Sequence, residues 1–205
     1  MFSLISGFVE VMLRKEEFHI LVIGLDKAGK TNVVERLKTL QTDAVGLEPA
    51  RIVPTVGLNV ARMEAFGANL VFWDLGGAPG LRAIWDKYYA DSHAVLFVVD
   101  AAARDRLDEA KAAFDRALAS RDLGGAPVLL LGNKQDLEGA EGLSELAERF
   151  GLTGAAAAAD ARARGAPCTA QPASAHTGAG LSDGMKWLVE ALKRSPRRRL
   201  VARAS

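Results

Sequence analysis

The chain has 205 residues, 49% of them hydrophobic, which is enough for one domain built on a single substantial core. With 26 basic and 25 acidic side chains the formal charge is +1, which excludes a global field for nucleic acid or another polyanion and leaves any charged partner to local recognition. The single cysteine, Cys168, excludes an intrachain disulfide framework, and the absence of a secretory signal makes a cytoplasmic protein the expectation.

Residues 1–16 read as an amphipathic N-terminal helix. Advancing ~100° per residue, Phe2, Leu4, Ile5, Phe8, Val9, Val11, Met12 and Leu13 share one arc, while Ser3, Ser6, Glu10, Arg14 and Glu17 share the other. The run falls short of the ~20 apolar residues of a membrane span. It also lacks the early positive charge and small-residue cleavage site of a signal peptide.

Phe18 to Ile23 is a short apolar run ending at Gly24 and reads as a buried strand, with a helix expected from Lys30. Gln41 to Pro54 has no sustained period and reads as loop. Gly57 to Ala65 and Asn69 to Asp74 read as a hairpin turning at Phe66, Gly67 and Ala68, after which Gly76, Gly77, Pro79 and Gly80 predict a mobile loop. Ala94 to Asp100 and Pro127 to Gly132 are apolar runs flanking a helical stretch from Arg104 to Ser120, the alternation of a parallel α/β sheet buried on both faces. The Ala-rich segment 154–172 is read either as a surface helix or as an irregular insertion, and both readings stay open. Cys168 to Ser174 can supply a last strand and Leu181 to Arg194 a closing helix, before a basic tail, 195–205, expected to be solvated.

Gly24-Leu-Asp26-Lys27-Ala28-Gly29-Lys30-Thr31 fits the phosphate-binding P-loop pattern between a predicted strand and a predicted helix. Its glycines let backbone N–H groups turn around phosphates, the helix N-terminus adds a favourable dipole, Lys30 neutralises the β and γ oxygens, and the Thr31 hydroxyl suits Mg²⁺. Asn133-Lys134-Gln135-Asp136 follows the Pro127 to Gly132 strand at its C-terminal end, where open α/β sheets bind ligands. The Asp136 carboxylate can accept guanine N1–H and N2–H₂, whereas adenine would leave it unpaired. Such a mismatch is worth roughly 10⁴-fold. Asn133 is expected to brace the loop and purine N7, the Lys134 stem to cover the ring, and the N–H of Ala175, in Ser174-Ala175-His176, to reach guanine O6. His176 and His93 read as ordinary loop and surface histidines.

Two switch candidates lie between these elements. In Pro54-Thr55-Val56-Gly57, Thr55 is expected to meet Mg²⁺ and a γ-phosphate. In Asp74-Leu-Gly-Gly77, Asp74 is expected to hold Mg²⁺ through water and the Gly77 N–H to meet the γ oxygen. Lys30, Thr55 and Gly77 are therefore the catalytic candidates, and Thr31, Thr55 and Asp74 the metal candidates.

In this order, Gly24 to Thr31, Ile52-Val-Pro-Thr55-Val-Gly-Leu-Asn59, Trp73-Asp-Leu-Gly-Gly77 and Asn133 to Asp136 resemble the ADP-ribosylation factor (Arf) family of small GTPases. Trp85-Asp-Lys-Tyr-Tyr89 and the Met1-Phe2 start look most like its Arf-related, Golgi-associated branch. The resemblance implies a P-loop NTPase small-GTPase fold, an α/β domain over 17–194 with a six-stranded, mostly parallel sheet flanked by helices. It also implies a GTP/GDP switch in vesicle and protein transport, peripheral on Golgi or trans-Golgi membranes. The implied partners are an exchange factor, a GAP, effectors and a membrane receptor, with reversible membrane contact through Phe2 to Leu13 and a monomeric chain. Leu58, Trp73 and Tyr88 match the family's hydrophobic effector triad, with leucine replacing its usual phenylalanine.

Three positions depart from that pattern. Phe2 replaces the glycine that accepts myristate in many relatives. Ala78 replaces the glutamine that orients attacking water, which predicts very slow intrinsic hydrolysis. Asn32 replaces a second threonine after the P-loop and is expected to alter contact with the α-phosphate. Two rivals remain: a module that holds GTP constitutively with negligible hydrolysis, which Ala78 supports, and a P-loop kinase or ATPase, which would not need Asn133 and Asp136.

Overall fold

The computed structural model describes residues 16–41, 55 and 57–200. The expected N-terminal helix, the loop across 42–54 and the tail beyond 200 lie outside the described residues.

Six strands form one sheet: β1 (Glu17–Ile23), β2 (Leu58–Ala65), β3 (Ala68–Leu75), β4 (Ala94–Asp100), β5 (Val128–Asn133) and β6 (Cys168–Pro172). Their spatial order is β2-β3-β1-β4-β5-β6, with β2 antiparallel to β3 and every other pair parallel. Residues Phe66 and Gly67 join β2 to β3 with φ of 54° and 70°, the positive pair that a two-residue hairpin turn needs.

The apolar runs of the central strands serve two cores because successive side chains point to opposite faces. Phe18, Ile20 and Val22 of β1 pack with Leu96 of β4 and Leu129 of β5 on one face, under helices α1 (Lys30–Gln41) and α5 (Leu181–Arg194). Leu21 and Ile23 pack with Phe97 and Leu130 on the other face. There they meet α2 (Leu107–Leu118), α3 (Leu143–Arg149) and Trp85 of a 3-10 helix, Pro79–Tyr88. The edge strand β2 buries Ala61, Met63 and Ala65 but leaves Leu58 and Val60 exposed on the opposite side.

Several expectations change here. The glycine-rich stretch after β3 does not run on as loop: Pro79 opens the 3-10 helix, its fixed φ suiting a first turn. The Ala-rich segment is resolved as a helix, α4 (Gly154–Arg164), in line with alanine's high helix propensity, and it buries none of its residues. His93 is not a surface histidine. It is 5% exposed, its Nδ1 accepts the His19 N–H at 3.0 Å, and its own N–H donates to His19 O at 2.8 Å. Burial pushes its imidazole down to about 4.

The start of the basic tail is not wholly solvated either. A short helix α6 (Arg197–Leu200) follows α5, and Arg197 is buried, donating to the carbonyls of Ser92 (2.6 Å), Gly124 (2.8 Å), Ala90 (3.1 Å) and Tyr89. Ser195 Oγ adds a bond to Gly125 O at 2.6 Å. The fork of guanidinium donors matches a cluster of loop carbonyls that no strand or helix satisfies, which makes the segment part of the fold.

Candidate nucleotide-binding site

The P-loop leaves β1 at its C-terminal end and enters α1. Gly24 has φ of 140° and lies against β4 so closely that a Cβ there would stand 2.1 Å from Val98 O, so only glycine fits. Lys30, at the first position of α1, curls back over the loop and donates to Gly24 O (3.1 Å) and Leu25 O (2.9 Å). It is 6% exposed, and burial pushes its ammonium down to about 8, against the raising pull of Asp74 and Asp26. A buried cation whose hydrogen bonds among the described residues go to carbonyls is poised for an anion.

A cleft of about 420 Å³ opens beside it, lined by Asp26, Lys27, Gly29, Lys30, Thr31, Asn32, Thr55, Gly77, Ala78 and Lys134. Thr31 Oγ1 donates to Asp74 Oδ2 at 2.6 Å and lies 3.0 Å from Thr55 Oγ1, so residues far apart in sequence converge on one carboxylate. Asp74 is fully buried, and burial raises its carboxyl above the usual range, opposed by the Thr31 hydroxyl and Lys30. Its Oδ1 has no hydrogen-bond partner among the described residues. Gly77 presses on the P-loop: a Cβ there would meet Asp26 N and Gly24 O at 2.4 Å.

The other expected residues stand behind or beside the cleft. Asn133, 1% exposed, donates from Nδ2 to Ala28 O at 2.9 Å and accepts the Ala175 N–H on Oδ1 at 2.9 Å. That side chain therefore sews the P-loop to the Ser174-Ala175 turn, and the Ala175 N–H expected to face guanine O6 is held by Asn133 in this arrangement. Asp136 is exposed and accepts from Ser174 Oγ at 2.5 Å, the bond that chiefly holds its carboxyl below the usual range. His176 is exposed, as expected.

The ADP-ribosylation factor family model matches residues 4–192. The chain belongs to the ADP-ribosylation factor family. It is 39% identical over 200 residues to ADP-ribosylation factor-related protein 1 of Homo sapiens, covering 97% of this chain and 96% of that protein. It is 36% identical over 202 residues to ADP-ribosylation factor-like protein 3 of Saccharomyces cerevisiae, covering 97% and 98%. Among solved structures, the Arl6 BBS3 small GTPase of Trypanosoma brucei, with bound nucleotide analogue GppNp, aligns with a TM-score of 0.71 at 29% identity, covering 87% of this chain and 98% of that one. As an Arf-family small GTPase the chain binds GTP and GDP and has GTP hydrolysis as its family activity. Members of this family generally work with exchange factors, GAPs and effectors. No helix among the described residues is long and apolar enough to cross a membrane.

Several residues that shape the Arf-family site escape a motif reading. Asp100, the last residue of β4, takes the Lys134 ammonium at 2.6 Å, and Arg106 grips Asp26 through Oδ1 (2.7 Å) and the backbone O (3.0 Å). That guanidinium hydrogen bond is the main reason the Asp26 carboxyl stays below its ordinary range. Asp100 carries one readable signal, its place at the C-terminal end of a parallel strand beside β5. Arg106 has none, because its partner lies 80 residues away.

Proposed function

We propose that this chain is a magnesium-dependent GTP switch acting peripherally on Golgi or other endomembranes in vesicle transport, with very slow hydrolysis of its own. The observation that carries the reading is the meeting of Thr31, Thr55 and Asp74, which brings the P-loop and both switch loops together beside the buried Lys30. Three hard oxygens, one of them on a buried carboxylate whose Oδ1 has no hydrogen-bond partner among the described residues, suit a Mg²⁺ that keeps waters and borrows phosphate oxygens. Thr31, Thr55 and Asp74 would hold that ion, which when bound neutralises charge on the β and γ phosphates. Lys30 adds its own charge there, Asp136 selects guanine, Lys134 lies along the ring, and Gly77 meets the terminal phosphate.

Ala78 places a methyl group in the cleft lining, where a polar side chain would orient water. Positioning and charge are most of phosphoryl-transfer catalysis, and an arginine finger from a GAP alone supplies ~10³ to 10⁵. The same residue favours a second reading, a module that stays GTP-bound because hydrolysis is negligible. Leu58, 38% exposed, and Val60, 41% exposed, lie on the face where the Trp73 and Tyr88 rings pack edge-on at 5.7 Å. This apolar face supports effector binding. Membrane contact is assigned to the apolar arc of Phe2 to Leu13, a reversible attachment that a second contact such as a protein receptor would secure.

The test is a single-turnover assay of protein loaded with GTP, followed by phosphate release over a day and then by addition of cell extract as a source of GAP. Slow release that the extract accelerates is the expected result. Silence in both stages, with GTP still bound, would replace the cycling switch with the constitutive module.

A further inference from the structure

The segment Gly76 to Pro79 is a wall between two clefts. Gly77 and Ala78 line the nucleotide cleft. On the other side a cleft of about 570 Å³ runs between the 3-10 helix and α2, lined among others by Pro79, Arg82, Trp85 and Glu109. From that second side two donors reach consecutive carbonyls of the wall: Trp85 Nε1 donates to Gly76 O at 3.0 Å and Arg82 Nε donates to Gly77 O at 2.8 Å. Trp85 is 3% exposed, and the Arg82 guanidinium is fixed in turn by Glu109 Oε1 at 2.7 Å.

A trans peptide points its N–H opposite to its C=O, and no cis peptide occurs among the described residues. Drawing the Gly76 and Gly77 carbonyls toward the second cleft therefore turns the N–H groups of Gly77 and Ala78 toward the first. No described residue accepts either N–H. Two adjacent inward N–H groups form an anion-binding concavity. We propose that Trp85 and Arg82 are positioning residues that aim these two amides at the terminal phosphate, so that position 78 contributes its backbone N–H where it has no polar side chain to offer. The inference rests on the GTP reading above and adds to it the residues that set the closing contact.

The experiment measures release of fluorescent mant-GDP and mant-GppNHp, with Mg²⁺, from the full chain and three variants. Trp85→Phe deletes one donor and keeps the bulk, Arg82→Met deletes the other and keeps the stem. Ala78→Pro removes the amide hydrogen at φ −61° and ψ 146°, angles proline accepts. Each variant is expected to release the triphosphate analogue about tenfold faster, the order of one net hydrogen bond to a charged group, with release of the diphosphate changed less than about twofold. Equal acceleration of both nucleotides would make Trp85 and Arg82 merely structural, and an unchanged Ala78→Pro would remove the second amide; either result overturns the inference alone. A wild-type chain that holds neither nucleotide would overturn the GTP reading, and the inference with it.

Discussion

The two ends of the cleft are finished to different degrees by the protein itself. At the base end the polar side chains have protein partners: Asn133 joins Ala28 to Ala175, Asp136 takes the Ser174 hydroxyl, and Lys134 pairs with Asp100. At the phosphate end the hydrogen bonds of the buried Lys30 cation among the described residues go to carbonyls, and Asp74 Oδ1 is a buried oxygen with no partner among the described residues. The base end is preorganised by the fold, whereas the phosphate end reaches its lowest energy only when charge of the right sign arrives. State dependence belongs where the protein is incomplete, because a ligand moves an equilibrium only through differential contacts.

Mutations at the two ends should therefore fail differently. The largest effect is expected for Asp136→Asn, which exchanges an acceptor for a donor opposite guanine and should erase discrimination against adenine nucleotides by on the order of 10⁴-fold. Competition of GTP against ATP for the cleft measures it. Asn133→Ala breaks one buried and one partly buried bond and strands their partners, which costs about 2–4 kcal/mol in denaturant midpoint analysis and loosens both guanine nucleotides alike. Gly77→Ala is the counterpart at the phosphate end. Its methyl meets P-loop backbone, an overpacking cost of about 1–3 kcal/mol, and the triphosphate should lose roughly ten- to a hundredfold in affinity while the diphosphate is nearly unchanged. Loss of both nucleotides by Gly77→Ala would erase the contrast between the two ends.

The last effect is a pH slope far from the cleft, small at neutral pH. His93 is buried neutral, its imidazole pushed from 6.5 down to about 4. Between those values the unfolded chain binds a proton that the native chain refuses, so stability falls as pH falls, by up to about 1.4 kcal/mol per pH unit. His93→Asn, whose Oδ1 can accept the His19 N–H, should flatten that part of the stability curve. A slope unchanged by the substitution would assign it to other groups.

The phosphate end and most of the sheet were legible because their signals are local. The P-loop is one contiguous run, and β1, β4 and β5 are apolar stretches of strand length beside glycine or polar breaks. The 3-10 helix was not legible, since a Gly-Gly-Ala-Pro-Gly run carries no helical period and its register depends on Trp85 finding a pocket between β4 and α2. The short helix α3 leaves little trace for a similar reason: seven residues with one buried side chain, Leu146, give almost no periodic signal. Arg197 looked like one of several tail arginines, and only the loops carrying Ser92 and Gly124 single it out. Asp26 with Arg106, and Gly76 with Trp85, show the same limit. A partner at long range, or a carbonyl oxygen that every residue possesses, leaves no mark in composition or spacing.

Amide hydrogen exchange of the full chain, saturated with GDP or with GppNHp in the presence of Mg²⁺, tests the contrast between the two ends most directly. The account predicts that the triphosphate slows exchange at Thr55, Gly77 and Ala78, while Asn133 to Asp136 and Ser174 to Ala175 exchange alike in both states. Protection that changes in the base loops and not at Gly77 and Ala78 would contradict it.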